Sequence, residues 1–163
     1  MARAPFTEYD VRQLIAARKF VAKIMQDNVQ SETDPRKERR IVYAIRRRDT
    51  PNRDISLRLI ARLSPSVPGV GLKSLPGIAL QWKGKIIRKL DWALRHDTWR
   101  DGVVVGFVRG WHEHIWTDED EDRHIVEADP PIKRTDMRSL VRYCADKWNI
   151  GLEGIEEQPF LGE

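Results

Sequence analysis

A histidine pair separated by one residue, His112 and His114, carries the most chemistry in this 163-residue chain. Residues i and i+2 of a β-strand point to the same face, so a strand here places the two imidazoles side by side. Histidine accepts and donates protons near neutral pH. Beside Arg88 or Arg109, such a pair suits metal-free cleavage of RNA, with one imidazole taking the 2′-hydroxyl proton and the other protonating the leaving oxygen.

The other two histidines, His96 and His124, can join this pair if the strands align suitably. Alternation along residues 85–96 predicts that His96 shares a face with Arg88, opposite Lys89 and Asp91. An acidic turn at residues 118–122 precedes His124. If Thr117 lies opposite Arg123, all four histidines approach one region of the sheet. A shift of one residue would reverse every side chain.

Three interpretations of the histidines remain open at this point. A metal-free active site would use His112 and His114 with Arg88 or Arg109 as catalytic residues, joined by His96, and would need no cofactor. Alternatively, His-x-His can bind a metal, with Asp91, Asp97 or His124 completing the ligand set. In the third interpretation the histidines fill or edge the sheet and have a structural role. The triplet is not the HExxH zinc motif, which requires helical spacing.

Charge is distributed unevenly along the chain, whose net charge is +4. Residues 1–100 carry 22 Lys and Arg against 10 Asp and Glu, a net charge of +12; residues 101–163 carry 7 against 15, a net charge of −8. A basic half favours a polyanionic partner, because phosphate contacts dominate nucleic-acid affinity. It can also be a solvated surface whose charges pair with the acidic half. The candidate nucleic-acid contacts are Arg58, Arg62, Lys85, Lys89, Arg95 and Arg109.

The sequence lacks the motifs of several classes of protein. There is no P-loop, no Gly-x-Gly-x-x-Gly and no Gly-x-Ser-x-Gly. No apolar run is long enough to span a membrane, and the amino terminus has no signal-peptide core, so we expect a cytoplasmic protein without a membrane partner. The single cysteine, Cys144, lies in a helical apolar stripe, which indicates a packed core thiol.

Hydrophobic periodicity predicts an α+β fold, an antiparallel sheet of about six strands flanked by an N-terminal and a C-terminal helix. We expect one domain over residues 1–163, with loose termini at 1–6 and 152–163. The predicted helices are Thr7–Asp27 and Thr135–Trp148. The predicted strands are Ile41–Ile45, Asp54–Leu63, Ile78–Trp82, Lys85–His96, Val103–Thr117 and Arg123–Ala128. Loops are predicted at residues 28–39 and 64–77, and turns at residues 49–52 and at Lys83-Gly84.

The stretch Lys85-Ile-Ile-Arg-Lys-Leu-Asp-Trp92, followed by Arg95-His96-Asp97 and Trp111-His-Glu-His114, resembles small bacterial TumE-type toxin components of toxin–antitoxin systems. Those proteins have strands with an Arg-x-x-Asp element followed by a histidine-rich segment. The resemblance spans about residues 78–130. It implies a toxin that acts on RNA or translation, with a cognate antitoxin as partner. Arg88, Asp91, His112 and His114 occupy the corresponding positions, whereas the N-terminal helix, the first two strands and the acidic hairpin depart from the pattern.

The leading hypothesis is therefore an RNA-directed cytoplasmic protein, a metal-independent ribonuclease of toxin type. The alternative is a non-catalytic module whose basic sheet binds nucleic acid or an acidic partner and whose acidic C-terminal half binds a second protein. A metal-bound enzyme is the third hypothesis.

Overall fold

Two helices and eight strands make up the part of the chain that this computed structural model describes, namely residues 4–28, 37–48, 56–65, 74–133 and 136–153. The helices are α1 (Glu8–Ala16) and α2 (Met137–Lys147). The strands are β1 (Lys19–Asp27), β2 (Arg39–Arg47), β3 (Arg58–Pro65), β4 (Ser74–Trp82), β5 (Lys85–Arg100), β6 (Val103–Thr117), β7 (Glu121–Glu127) and β8 (Ile150–Gly151).

The eight described strands form one sheet in the order β7-β6-β5-β4-β3-β2-β1-β8. The first seven strands pair with their neighbours in sequence and are antiparallel, while β8 is parallel to β1. The predicted α+β class with an antiparallel sheet is confirmed. The predicted count of about six strands is too low, because it omitted β1 and the short β8.

The predicted first helix, Thr7–Asp27, is wrong beyond Ala16. Its start is correct, since Thr7 caps α1 and forms a capping box with Asp10. The buried Lys19 ends the helix by donating hydrogen bonds to the carbonyl oxygens of Leu14, Ile15 and Ala17, at 2.7, 3.1 and 2.6 Å. The chain then continues as β1. The apolar residues here have a spacing that fits either a helix or a strand, and pairing with β2 favours the strand.

The hydrophobic core joins one face of the sheet, here called the helix-side face, to both helices. From the sheet, Ile41, Leu59 and Leu80 enter the core, and Leu14 enters it from α1. From α2 come Leu140, Val141, Cys144 and Trp148. Burial raises the pKa of the Cys144 thiol, which therefore stays protonated, as expected of a packed core cysteine. The opposite face is called the outer face.

Both ends of the described chain pack against this core. Phe6 is buried and stacks on Trp82 with ring centroids 4.7 Å apart, and Leu152 is also buried. The predicted loose termini, 1–6 and 152–163, include these two residues, which are packed and not loose. The predicted turn at residues 49–52 and the centres of the two predicted loops lie outside the described residues. Among the described residues, no helix has the length and apolar character needed to cross a membrane.

Candidate functional site: a histidine cluster on the outer face

Strand register assigns the residues of β5 and β6 to opposite faces of the sheet. Asp91 lies opposite His112, and Lys89 opposite His114, which puts these four side chains on the outer face. Leu90 lies opposite Glu113 on the helix-side face. The predicted pairing of His112 and His114 on one face is therefore confirmed.

His96 reaches the same cluster by a route that simple alternation does not predict. The register of β5 against β6 shifts between Ala93 and His96, where Gly110 lies opposite Ala93 with a φ of 79°. Such an irregularity bends a strand and moves the following side chains to the other face. His96 consequently joins the outer face and not the face of Arg88, which corrects the prediction.

The three imidazoles of His96, His112 and His114, here called the histidine cluster, lie in mutual contact. Ring centroids are 4.8 Å apart for His96 and His112, 5.3 Å for His96 and His114, and 5.1 Å for His112 and His114. One ring nitrogen from each residue lies within 4.8 Å of the others. The cluster is thus compact enough for one small ligand to touch all three rings.

His112 is the innermost member and is 0% exposed. Its Nδ1 lies 3.3 Å from the carbonyl oxygen of Gly110, an interaction that places the proton on Nδ1. Its Nε2 is buried without a hydrogen-bond partner among the described residues. Burial lowers the pKa of His112, although the Gly110 hydrogen bond and the charge of Asp91 oppose that effect. The ring is therefore neutral at pH 7 and keeps an unused lone pair.

Asp91 connects the cluster to two basic side chains. Its carboxylate lies 2.6 Å from Lys89 Nζ, 3.7 Å from the Arg62 guanidinium and 3.8 Å from His114 Nε2. The carboxylate sits over Gly77, where an added Cβ would come within 2.5 Å of Asp91 Oδ1. A glycine at this position of β4 therefore leaves the space that the carboxylate occupies.

A cavity of about 620 Å³ opens beside the histidine cluster. His96 and His114 line it, together with residues from the β5–β6 turn and from the start of β7. These additional lining residues include Trp99, Arg100 and Arg123. Sequence reasoning did not single them out, because their approach to His114 depends on the bend at Ala93 and Gly110 and not on local periodicity.

Arg88 does not belong to this site, contrary to its predicted catalytic role. It lies opposite Ile115 on the helix-side face and donates a hydrogen bond of 2.8 Å to the carbonyl oxygen of Ile87. Burial lowers the pKa of Arg88. Arg88 lines a separate cavity together with Glu113 and Lys147, which form an ion pair between β6 and α2.

The predicted nucleic-acid contacts are divided among three places. Arg62 and Lys89 lie beside the cluster on the outer face, and Arg58 lies on the same face in the row that pairs with Gln81. Arg95 and Arg109 lie over the Phe107 ring, at 4.4 and 5.1 Å from its centroid. Lys85 lies 4.0 Å from Glu121 at the β4–β5 turn. They therefore do not form one continuous basic surface.

His124 stays apart from the other histidines. The register places Thr117 opposite Glu121, and not opposite Arg123 as predicted, and it places His124 opposite Ile115. His124 is consequently exposed and lies in the row of Arg88. Three of the four histidines converge, and the fourth does not.

The cluster can bind a cation as well as exchange protons, since imidazole nitrogens are ligands for transition metals. Among the described residues, this is the only group of at least three His, Cys, Asp or Glu side chains whose ligand atoms lie close enough together to hold one ion. Comparison of the chain with protein-family models, curated proteins and solved structures found no match.

Proposed function

We propose that this chain is an RNA-directed cytoplasmic protein that cleaves phosphodiester bonds at the histidine cluster without a metal ion. The observation that carries the proposal is the convergence of His96, His112 and His114 beside a cavity that Arg100 and Arg123 also line. Proton-transfer groups thus meet two guanidinium groups at a space large enough to hold a nucleotide, and the carboxylates of Asp97, Asp101 and Asp120 line the same space.

The proposed chemistry uses the two histidines that line the cavity. One of His96 and His114 accepts the proton of the RNA 2′-hydroxyl, whose oxygen attacks the phosphorus. The other gives a proton to the 5′-oxygen as its bond to phosphorus breaks, which yields a 2′,3′-cyclic phosphate and a 5′-hydroxyl. Ring centroids 5.3 Å apart allow one phosphate to reach both imidazoles. His112, which is buried, acts as a positioning residue.

The charged neighbours have supporting roles in this proposal. Arg100 and Arg123 neutralise phosphate charge, because guanidinium groups pair well with phosphate oxygens. Asp91 holds His114 and Lys89 in place through its contacts at 3.8 and 2.6 Å. Trp99, which is 64% exposed and lines the cavity, provides a surface on which a base can stack.

The test is RNA cleavage by purified protein in the presence of EDTA. We expect wild type to cleave a short oligoribonucleotide to cyclic-phosphate products. His96→Ala and His114→Ala should each lower the rate by about 10²–10⁴-fold, the usual contribution of a general acid or base. His124→Ala is the matched control and should cleave at the wild-type rate, because His124 is exposed and lies in another row.

Two results would contradict the proposal. One is the absence of cleavage by folded wild-type protein on RNAs of varied sequence and structure. The other is equal loss of activity in the His124→Ala control, which would mean that cleavage does not depend on the cluster.

The hairpin arm, residues 92–111 of β5 and β6, favours a binding role as a second candidate function. It carries most of the large apolar side chains that are exposed among the described residues: Leu94, Trp99, Val103, Val104, Val105 and Phe107. An exposed apolar group of this kind is typical of protein interfaces. In the toxin interpretation, which the resemblance to TumE-type components supports, a cognate antitoxin would cover this arm.

A module that binds RNA through its basic side chains, without catalysis, predicts a different result from cleavage. A module that holds RNA by charge alone binds without turnover and loses affinity steeply as salt rises. Salt-sensitive RNA binding, with no cleavage in EDTA and no effect of His114→Ala, would favour the module.

A further inference from the structure

The histidine cluster contains an unused ligand atom in a buried position. His112 is 0% exposed, and its Nε2 has no hydrogen-bond partner among the described residues. Leaving a buried polar atom unpaired costs about 1–3 kcal/mol. The Gly110 carbonyl holds the same ring at Nδ1, and the rings of His96 and His114 lie in contact with it.

We propose that His96, His112 and His114 form a binding site for one divalent transition-metal ion of the Zn²⁺ class. Three neutral imidazoles are typical ligands of Zn²⁺, Co²⁺, Ni²⁺ and Cu²⁺, while Mg²⁺ and Ca²⁺ prefer oxygen ligands. Three protein ligands would leave a fourth coordination position open, and the cavity lined by His96 and His114 lies beside the cluster.

The spacing of the ring nitrogens fits such an ion after small adjustments. Zn²⁺ binds imidazole nitrogen at about 2.0–2.1 Å, which sets tetrahedral ligand atoms about 3.3 Å apart. The nitrogens of the cluster lie within 4.8 Å of one another. Closing the difference requires movements of at most about 1.5 Å, which rotations of the imidazole rings can supply.

The residues around the cluster match the usual surroundings of a metal-binding histidine. Such a residue typically donates its second ring N–H to a backbone carbonyl or to a carboxylate, which fixes the tautomer. His112 has the Gly110 carbonyl in this role, at 3.3 Å. Asp91 lies next to His114, with its Oδ2 3.8 Å from Nε2, so its negative charge favours a cation bound at the cluster.

The metal site does not depend on RNA being the substrate. It does have a consequence for the cleavage proposed above, since a ring nitrogen that binds a metal cannot also accept a proton. The metal-loaded protein should therefore cleave RNA more slowly than the metal-free protein. One cluster would then exist in an active metal-free state and an inhibited metal-bound state.

The experiment measures metal binding in the absence of RNA. Protein stripped with EDTA and desalted is titrated with Zn²⁺ by calorimetry and with Co²⁺ by visible absorption. We expect one ion per chain and a Co²⁺ spectrum of low coordination number. His96→Ala should weaken Zn²⁺ binding by at least about tenfold. His124→Ala, the matched control, should bind as wild type does.

His112→Ala is less informative, because removing a fully buried ring can unfold the protein. His96 is only partly buried and lies on the hairpin arm, so His96→Ala is the decisive variant. Wild-type protein that binds no Zn²⁺, or that binds it equally well after His96→Ala, would overturn the metal site. Neither result bears on cleavage in EDTA, so the two proposals fail separately.

Discussion

On β6, Glu113 and its two histidine neighbours point to opposite faces of one strand, and the two faces place these ionisable side chains in different surroundings. On the helix-side face Glu113 pairs with Lys147 of α2, and Lys19 at the end of α1 donates hydrogen bonds to three carbonyl oxygens. On the outer face His112 Nε2 is buried without such a partner among the described residues. Tyr43 Oη, Trp116 Nε1 and Trp148 Nε1 in the core are also buried without a hydrogen-bond partner in the described part of the chain. The feature that indicates a ligand site is therefore the contact of His112 with two further imidazoles beside a cavity.

This difference can be tested by changing each face separately. Substitutions on the helix-side face should lower stability and leave metal binding intact. Substitutions on the outer face should lower metal binding.

Lys19→Met should have the largest effect on stability. It removes three hydrogen bonds from a buried ammonium group and leaves the carbonyl oxygens of α1 unpaired. We expect the free energy of unfolding to fall by about 3 kcal/mol. Urea denaturation measures this change, with Lys23→Met on the exposed side of β1 as control. A fall in Zn²⁺ affinity of the folded variant would contradict the separation of the two faces.

Gly77→Ala should affect both stability and the site. The new Cβ comes within 2.5 Å of Asp91 Oδ1 and 3.1 Å of Arg62 Nε, so it displaces the carboxylate. We expect a loss of about 1–2 kcal/mol in unfolding free energy and about tenfold in Zn²⁺ affinity. Asp91→Asn removes the charge without the crowding and should reproduce the loss of affinity. Wild-type affinity in both variants would mean that Asp91 does not support the cluster.

Glu113→Gln should have a smaller effect. It weakens the ion pair with Lys147, whose side chain is 46% exposed and thus screened by solvent. The Glu113 hydrogen bond and charge raise the pKa of Lys147 despite the opposing effect of partial burial. We expect a loss of about 1 kcal/mol in unfolding free energy and unchanged cleavage and metal binding. A tenfold change in the cleavage rate or in the Zn²⁺ affinity would place Glu113 in the histidine site.

Trp99→Ala should have the smallest effect on stability, within about 0.5 kcal/mol, because the side chain is 64% exposed. If a base stacks on this ring, RNA affinity should fall by about 1–3 kcal/mol. Fluorescence anisotropy with a labelled, non-cleavable oligoribonucleotide measures the change. Tyr9→Ala, also at an exposed aromatic residue but on α1, is the control. Equal affinity in Trp99→Ala and wild type would remove Trp99 from the RNA-binding surface.

Elements with strong local periodicity were predictable from the sequence. The apolar stripe of α2 was predicted from its spacing, and its residues Met137, Leu140, Val141, Cys144 and Trp148 are all buried. The Lys83-Gly84 turn was also predicted, and both residues have positive φ, at 48° and 79°. The His112 and His114 pairing followed from strand alternation alone. These features depend on residues that are close together in sequence.

The remaining features depend on contacts between distant parts of the chain. Apolar spacing at Val21, Ala22 and Met25 fits a helix, yet Ala22 and Met25 are exposed in β1 because the strand pairs with β2. The register shift at Ala93 moved His96 to the outer face and so separated it from Arg88. Local periodicity contains no information about where a bulge occurs or which strands pair.

The most direct test of the outer-face site is nuclear magnetic resonance of the four imidazole side chains during titration with a 2′-O-methylated oligoribonucleotide, which binds but cannot be cleaved. We predict that His96 and His114 shift strongly, that His112 shifts with them because its ring contacts both, and that His124 does not shift. Shifts confined to His124, or no shift in the histidine cluster at saturating RNA, would contradict the account.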